Sequence, residues 1–279
     1  MAFRDLDLLA ESDADASSGM RGKWRTLRRL IKRSFFDPQL REQKRIFCQN
    51  SGACGSHYIV DLLIENGIES VFHEKSPDLN EVGVQHYESG LPKSGLVRTL
   101  RYTRHNVFFE ANNRLFSLSS ELAAAFPGAS FVHLFRHPAH AVRSAMSKPN
   151  VDGYLKSNIR FSGSLAGSPN LRSLDRFCHY WTNVNQRILD DLESLQQSGT
   201  EVMWLNFEDM TSGNLKSLES FMGCELKTRV SSPSHVGVVR SEGKFAAFAD
   251  WNVEDQKSLE EICLPLYETL SGKSEITNA

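Results

Sequence analysis

The stretch IFCQNSGACGSHYIVDLLIEN, residues 46–66, decides the fold of this chain. It begins with a short apolar run, continues through small flexible residues and ends in an amphipathic pattern, which predicts a strand, a glycine-rich turn and a helix. Such a turn points unpaired backbone N–H groups at one spot before the helix N-terminus, where the helix dipole favours negative charge. Glycine allows the close backbone approach that an anion needs. The turn therefore either binds phosphate or is an ordinary strand-to-helix connection.

Several familiar motifs do not fit this turn. A Walker A loop has its second glycine five residues after the first, and a lysine directly after that. The fifth residue after Gly52 is His57, and no lysine follows it. A dinucleotide fingerprint needs three glycines and only Gly52 and Gly55 are present, and a G-x-S-x-G nucleophile elbow is absent. A cysteine phosphatase would need an arginine six residues after Cys54, where the chain has Val60. A buried, inert Cys54 thiol is therefore expected.

Short β-rich runs alternate with helical patterns along the rest of the chain. Further strands are predicted at 71–73, 107–109, 130–135 and 202–205. Further helices are predicted at 115–125, 139–146, 174–197, 215–222 and 254–270. This order predicts an α/β fold in which helices cover both faces of a central parallel sheet. In such sheets, ligands bind outside the carboxyl ends of the strands.

Composition bounds the organisation of the chain. Its 279 residues, 40% of them hydrophobic, are enough for one large domain. Residues 1–20 are small, acidic and rich in serine, which predicts a mobile tail. Residues 21–40 are predicted to form a basic amphipathic helix, whose stretch 21–36 either contacts an anionic membrane surface or acidic partner, or is simply solvated. The α/β domain is predicted to span 41–279.

Charge and cysteine usage exclude several classes of protein. The formal net charge is −2, so nothing indicates binding to nucleic acid. The five cysteines are scattered without a C-x-x-C pair, which predicts reduced thiols, no metal site and a cytoplasmic location. The N-terminus lacks the apolar run of a signal peptide, and no stretch is as long as a membrane span. No feature of the sequence indicates an oligomeric state.

A second candidate anion site follows the apolar run 130–135. Arg136 stands where this predicted strand ends, and Ser144 follows about two turns along the next helix. The guanidinium and the hydroxyl could hold one phosphate together, with Arg143 adding charge. The alternative is an arginine paired with a carboxylate and a serine facing water.

Two stretches resemble motifs of the sulfotransferases that use 3′-phosphoadenosine-5′-phosphosulfate (PAPS). GACGSHYI, residues 52–59, resembles the loop G-R-S-G-T-x-Y-L, and FVHLFRHPAHAVRS, residues 131–144, resembles a hydrophobic strand followed by R-D-P-x-x-x-x-x-S. FEAN, residues 109–112, is similar to the family's Y-E-x-N segment, and LNFEDM, residues 205–210, is similar to R-Y-E-D-L. Order and spacing agree over residues 46–146.

The resemblance implies a P-loop NTPase-like three-layer sandwich with one active-site cleft, and PAPS as co-substrate without a metal. The glycine-rich loop would hold the 5′-phosphosulfate, and Arg136 with Ser144 would bind the 3′-phosphate that distinguishes PAPS from ATP. A late loop with Arg240 and Lys244 would close over the 3′-phosphate. The residues expected to bind the nucleotide are Gly52, Ala53, Cys54, Gly55, Ser56, His57, Tyr58, Arg136, Ser144, Arg240 and Lys244.

The loop departs from the family at Ala53, where relatives carry Arg or Lys in contact with the transferring sulfuryl group. A missing cation beside a developing anion typically costs several kcal/mol of transition-state stabilisation. His57, Lys75 and Lys244 are the candidates for replacing it.

The general base is expected directly after the strand next to the loop. Glu74 is the first choice and His73 the second, because related enzymes use a glutamate or a histidine at a similar place. Glu110 is a third candidate, although its role could be to cap the following helix. His73 and Glu74 could instead be an ordinary strand-end histidine and a surface charge.

The predicted function is transfer of a sulfuryl group from PAPS to a hydroxyl or amine acceptor on a small molecule or a glycan. Two alternatives stay open. One is a sulfotransferase-like protein that binds the nucleotide without efficient turnover, because of Ala53. The other is a P-loop kinase-like phosphotransferase, although the loop lysine is missing and no magnesium-binding Asp is evident at a predicted strand end.

Overall fold

Five parallel strands form the centre of the molecule in the computed structural model, which describes residues 44–74, 108–148, 150–154, 171–226 and 245–278. The strands are β1 (Ile46–Gln49), β2 (Val71–His73), β3 (Phe109–Ala111), β4 (Ser130–Phe135) and β5 (Val202–Asn206). Their order across the sheet is β2-β3-β1-β4-β5, and each neighbouring pair is parallel. The chain therefore crosses over a face of the sheet between strands, and β1 lies in the middle.

Helices cover both faces of this sheet. They are α1 (Ser56–Glu65), α2 (Ser119–Ala125), α3 (Pro138–Met146), α4 (Ser173–Gln197), α5 (Phe207–Ser212), α6 (Lys216–Met222), α7 (Val253–Ile262) and α8 (Leu264–Asn278). This confirms the predicted α/β fold, a three-layer sandwich in which helices cover both faces of a central parallel sheet. None of the described helices combines the length and apolarity that a bilayer crossing requires. The predicted tail and basic helix, residues 1–40, lie outside the described residues.

Side chains of the central strands alternate between two apolar clusters. Phe47 packs against Phe131 with ring centroids 5.7 Å apart, on the face covered by α2, α3, α4, α7 and α8. Ile46 and Cys48 face the other cluster, together with residues of α1, α5 and α6. A sheet that is buried on both faces needs apolar side chains at successive positions, which is why its strands read as continuous apolar runs in the sequence.

The start of α2 differs from the prediction. The helix predicted over 115–125 begins at Ser119, because the residues before it form turns after β3. The side chain of Gln49 donates a hydrogen bond to the carbonyl of Leu115 at 2.9 Å, which occupies that carbonyl outside a helix.

Two further differences lie near the end of the chain. The helix predicted over 254–270 is split at Cys263 into α7 and α8, because Pro265 has no N–H to continue the helical ladder. Helix α5 was not predicted. It begins at the end of β5, where Asn206 Oδ1 accepts the backbone N–H of Glu208 at 3.0 Å and caps the helix.

Candidate functional site

The turn between β1 and α1 has a backbone that few residue types adopt. Gly52, Ala53 and Gly55 have φ values of 78, 56 and 89°. A Cβ built at Gly55 would lie 2.1 Å from the ring of Phe207, so only glycine fits there. Ala53 takes the left-handed conformation without being glycine, which costs about 1 kcal/mol. Backbone strain of this kind is typical of functional sites.

Within the residues that the structure describes, this turn has hydrogen-bond donors without partners. No described side chain caps the N-terminus of helix α1, and the first turn of the helix contains no acidic residue. Asn50 Oδ1 accepts the N–H of Gly52 at 2.9 Å, but Asn50 Nδ2 is buried and has no hydrogen-bond partner among the described residues. Buried donors are normally satisfied. An uncapped helix end with spare donors is the arrangement that holds an anion.

The Cys54 thiol is held inside the turn and is inert. Its Sγ lies 3.0 Å from the carbonyl oxygen of Gly52 and 3.2 Å from Ser51 Oγ. Burial raises the pKa of Cys54 to about 11, although hydrogen bonding with Ser51 and the charge of Arg136 act in the opposite direction. The expectation of a buried cysteine is confirmed, and the raised pKa favours the protonated, unreactive thiol at neutral pH.

The junction between β4 and α3 lies beside this turn. The guanidinium carbon of Arg136 is 4.7 Å from the centroid of the Phe207 ring. The same ring lies against Gly55, and Tyr58 meets it edge-on with centroids 5.8 Å apart. Because Gly55 and Arg136 contact one phenyl ring, the two predicted anion sites are neighbours at the carboxyl edge of the sheet.

Arg136 forms an ion pair with Glu208, the second residue of α5. Its Nε lies 3.6 Å from Glu208 Oε1. The same carboxylate accepts the backbone N–H of His137 at 3.1 Å and lies 2.8 Å from Nδ1 of His140. Arg136 is therefore paired with a carboxylate, as the alternative interpretation predicted, but only through the Nε side of its guanidinium.

Ser144 and Arg143 lie further along α3. Ser144 is half-buried, and within the described part of the chain its hydroxyl makes no hydrogen bond to Arg136. The Nε of Arg143 donates to the carbonyl of Phe245 at 3.1 Å, which turns this side chain towards the segment before α7. Lys75, Arg240 and Lys244 fall outside the described residues, so their predicted roles stay predictions.

The candidate acid–base residues gather beside the start of α1. Ser56 Oγ lies 2.8 Å from His73 Nε2, and the His57 ring stacks on His73 with centroids 3.6 Å apart. Glu74 follows directly at the end of β2. Burial raises the pKa of Glu74, although the charges of Arg114 and His57 counteract it. A carboxylate with a raised pKa suits a general base that works near neutral pH.

Glu110, the third candidate for the base, is a buried carboxyl with a raised pKa. It is fully buried on β3, where Oε1 accepts a hydrogen bond from Asn112 Nδ2 at 3.0 Å and Oε2 has no hydrogen-bond partner among the described residues. Burial raises the pKa of Glu110 to about 8, to which the charge of Glu74 adds and which the Asn112 hydrogen bond opposes. A pKa this high favours the neutral carboxyl at neutral pH, which makes Glu110 a weaker candidate for the base than Glu74, and its role stays a prediction.

Sequence reasoning missed four residues of this edge. Two of them, Asn113 and Arg114, follow β3. Asn113 lies beside the turn, since a Cβ added at Gly52 would be 3.2 Å from Asn113 Nδ2, while burial raises the pKa of Glu74 and the charge of Arg114 counteracts that rise. Their position just after a predicted strand was a usable signal. The other two, Phe207 and Glu208, lie in the stretch 205–210 that resembles R-Y-E-D-L, but their place beside Arg136 follows from the order of the strands. No group of three metal-ligating side chains occurs among the residues that the structure describes.

Comparisons with known proteins found likeness in structure only. A scan against family models gave no match, and a search of curated proteins gave no significant match. The chain resembles a sulfotransferase from Alicyclobacillus acidocaldarius at 13% identity and a TM-score of 0.47, over 84% of this chain and 96% of that one. It resembles the sulfotransferase domain from the curacin biosynthetic pathway at 14% identity and a TM-score of 0.43, over 82% and 96%.

A third solved structure is the sulfotransferase domain from the Synechococcus PCC 7002 olefin synthase. Its identity is 12% and its TM-score 0.40, over 83% of this chain and 96% of that one. Likeness at this level carries no information about donor or acceptor.

Proposed function

We propose that this chain binds PAPS at the carboxyl edge of the sheet and transfers its sulfuryl group to a hydroxyl or amine acceptor. The observation that carries the proposal is the contact that Gly55 and Arg136 share with the Phe207 ring. Two anion sites so close together suit one nucleotide that carries phosphate groups on both the 3′- and the 5′-oxygen of its ribose. ATP has no 3′-phosphate to offer to Arg136.

The free donors of the β1–α1 turn fit the 5′-phosphosulfate. The uncapped N-terminus of α1 and the spare Nδ2 of Asn50 supply donors without any counter-charge in the first turn. Arg136 supplies the charge for the 3′-phosphate, with Ser144 two turns along α3 as the proposed second partner. The sequence resemblance described above assigns the same two junctions to the two ends of PAPS.

Transfer would proceed by attack of the acceptor oxygen or nitrogen on sulfur. The bond between sulfur and the bridging oxygen breaks, a sulfate ester or sulfamate forms, and adenosine 3′,5′-bisphosphate leaves with the bridging electrons. Glu74 takes the proton of the acceptor, because burial holds its pKa above the usual range. His73 is held by Ser56 and His57 in the described structure and is the second choice for this role.

Titration calorimetry with adenosine 3′,5′-bisphosphate and ADP tests the nucleotide. We expect the bisphosphate to bind at least about tenfold more tightly, because only it has a phosphate for the Arg136 guanidinium. Arg136→Ala should abolish this preference. Arg187→Ala is the matched control, since Arg187 pairs with Asp191 on the outside of α4. Equal affinity for the two ligands, or a preference that survives Arg136→Ala, would overturn the proposal, and tighter binding of ADP would favour a kinase-like phosphotransferase.

Ala53 favours a second candidate, a protein that binds PAPS without efficient turnover. Transfer of labelled sulfate from PAPS to a panel of hydroxyl and amine acceptors separates the two. If turnover is slow because the cation is missing, Ala53→Arg should raise the rate by about two orders of magnitude. The residue at this position already has a φ of 56°, so the substitution introduces no new backbone conformation. Fast turnover by the unaltered chain would reject this candidate.

A further inference from the structure

We propose that Glu208 is a positioning residue that presents the Arg136 guanidinium to the 3′-phosphate. The inference rests on the proposed function and adds a residue to its 3′-phosphate site. Glu208 would not touch the nucleotide. It would act by fixing the orientation of the arginine that does.

The guanidinium of Arg136 is held on two of its sides. One face stacks on Phe207 at 4.7 Å, and the Nε edge points to Glu208 Oε1 at 3.6 Å. The Nε atom is buried and has no hydrogen-bond partner in the described ranges, so the attraction of Glu208 is electrostatic. Within the described part of the chain, the two terminal nitrogens donate no hydrogen bond, and 26% of the side chain is exposed. The fork that binds phosphate bidentately is therefore the part left open.

Glu208 is itself fixed by several contacts. Asn206 Oδ1 caps α5 by accepting the backbone N–H of Glu208 at 3.0 Å, and this hydrogen bond fixes the backbone from which the Glu208 side chain extends. The carboxylate accepts the N–H of His137 at 3.1 Å and lies 2.8 Å from Nδ1 of His140. Since His137 precedes α3, these contacts tie the start of α5 to the start of α3. A long arginine side chain gains a definite orientation from such a fixed partner.

A competing role for Glu208 has the opposite sign. If its carboxylate occupied the place of the phosphate, removing its charge would tighten nucleotide binding. The geometry favours positioning, because Glu208 uses the Nε edge and leaves the fork open. The sign of the change in affinity therefore decides between the two roles.

The experiment compares Glu208→Gln with the unaltered chain in calorimetric titrations of adenosine 3′,5′-bisphosphate and of adenosine 5′-monophosphate. The amide keeps an oxygen for the His137 N–H but loses the charge that holds Arg136. We expect a loss of about tenfold in affinity for the bisphosphate and no change for the monophosphate, which has no 3′-phosphate. Asp209→Asn is the matched control, because it removes the same charge one residue later, where the carboxylate lies 3.4 Å from Ser274 Oγ. It should leave both affinities unchanged.

Each other outcome overturns the inference. Tighter bisphosphate binding by Glu208→Gln would show that the carboxylate competes with the phosphate for Arg136. An equal loss of affinity for both ligands would show a general structural role. Should Glu208→Gln fail to fold, Glu208→Asp carries the test, because it keeps the charge but is too short to reach Nε, and the same selective loss is expected. An unaltered chain that does not prefer the bisphosphate over the monophosphate overturns the proposed function itself. A chain that does prefer it, with no change in Glu208→Gln, overturns only the role of Glu208.

Discussion

The β1–α1 turn and the β4–α3 junction lie side by side, yet they present different kinds of hydrogen-bond donor. The turn offers backbone groups, since the N-terminus of α1 is uncapped. At the junction, the His137 side chain accepts the N–H of Ala139 at 3.2 Å and the Glu208 carboxylate takes the N–H of His137. The positive charge that this junction presents therefore lies on the side chain of Arg136. A site made of backbone groups tolerates a different side chain, as at Ala53, but not a change of backbone conformation. A site made of one side chain depends on that side chain and is less sensitive to the backbone around it.

Gly55→Ala is the substitution that should break the backbone site most severely. The new Cβ would lie 2.1 Å from the Phe207 ring in a residue whose φ is 89°. Overpacking and backbone strain together should lower the free energy of unfolding by about 3 kcal/mol or more, as measured by denaturant titration. Gly67→Ala is the control, because Gly67 has a φ of 76° but no atom within 4 Å of the added Cβ. It should lose only about 1 kcal/mol, and equal losses would contradict the close packing of Gly55.

Glu110→Gln tests the buried neighbour of the turn through pH. The pKa of Glu110 is about 8 in the folded chain against an ordinary value of 4.5, so between these values the folded state holds more protons than the unfolded state. The stability contributed by this neutral group is fully present below the lower value and is lost as pH rises through about 8. Glutamine mimics the neutral acid at every pH. In denaturant titrations, the free energy of unfolding of the variant should therefore exceed that of the unaltered chain by on the order of 3 kcal/mol at pH 9 and should equal it at pH 4.

The control for this pH series is Glu260→Gln, which changes an exposed carboxylate on α7. Its unfolding free energy should follow the unaltered chain at both pH values. A Glu110→Gln variant that gains no stability at pH 9 would show that the Glu110 carboxyl is ionised in the folded state.

Asn185→Ala should loosen the turn from the side of α4. Asn185 Nδ2 donates to Ser51 Oγ at 3.1 Å, and Asn185 Oδ1 lies 2.9 Å from His133 Nε2. Removing the amide leaves two buried polar groups without this partner, which should cost about 2 kcal/mol in denaturant titration. Asn66→Ala, which alters a half-buried residue at the far end of α1, should cost less than about 1 kcal/mol. A larger loss from Asn66→Ala would contradict the view that the turn is anchored through Asn185.

The local parts of this edge were readable from the sequence, and the contacts between them were not. Glycine at 52 and 55 has a specific backbone meaning, and the apolar run 130–135 has the composition of a buried strand, so both junctions were placed correctly. Phe207 and Glu208 are common residue types that meet Arg136 only because β5 lies next to β4. That adjacency is a property of strand order, which no local pattern reports.

The same limit applied to the choice of base. The sequence offered Glu110 as a candidate, but the pKa of a carboxyl depends on its burial and neighbours, which become known only when the strands are assembled. Asn206 followed by acidic residues was a usable signal for a helix cap, and α5 could have been predicted from it.

The smallest expected effect lies at the outer edge of the side-chain site, in His140→Gln. His140 approaches Glu208 at 2.8 Å, but 52% of its side chain is exposed, and exposed pairs of this kind contribute little. If Arg136 is oriented by the Phe207 face and by Glu208 itself, loss of the imidazole should change bisphosphate affinity by less than about threefold in calorimetric titration. A drop as large as that expected for Glu208→Gln would mean that the orientation of Arg136 depends on the whole chain of contacts out to the surface. The contrast between a rigid backbone site and a locally fixed arginine would then have to be given up.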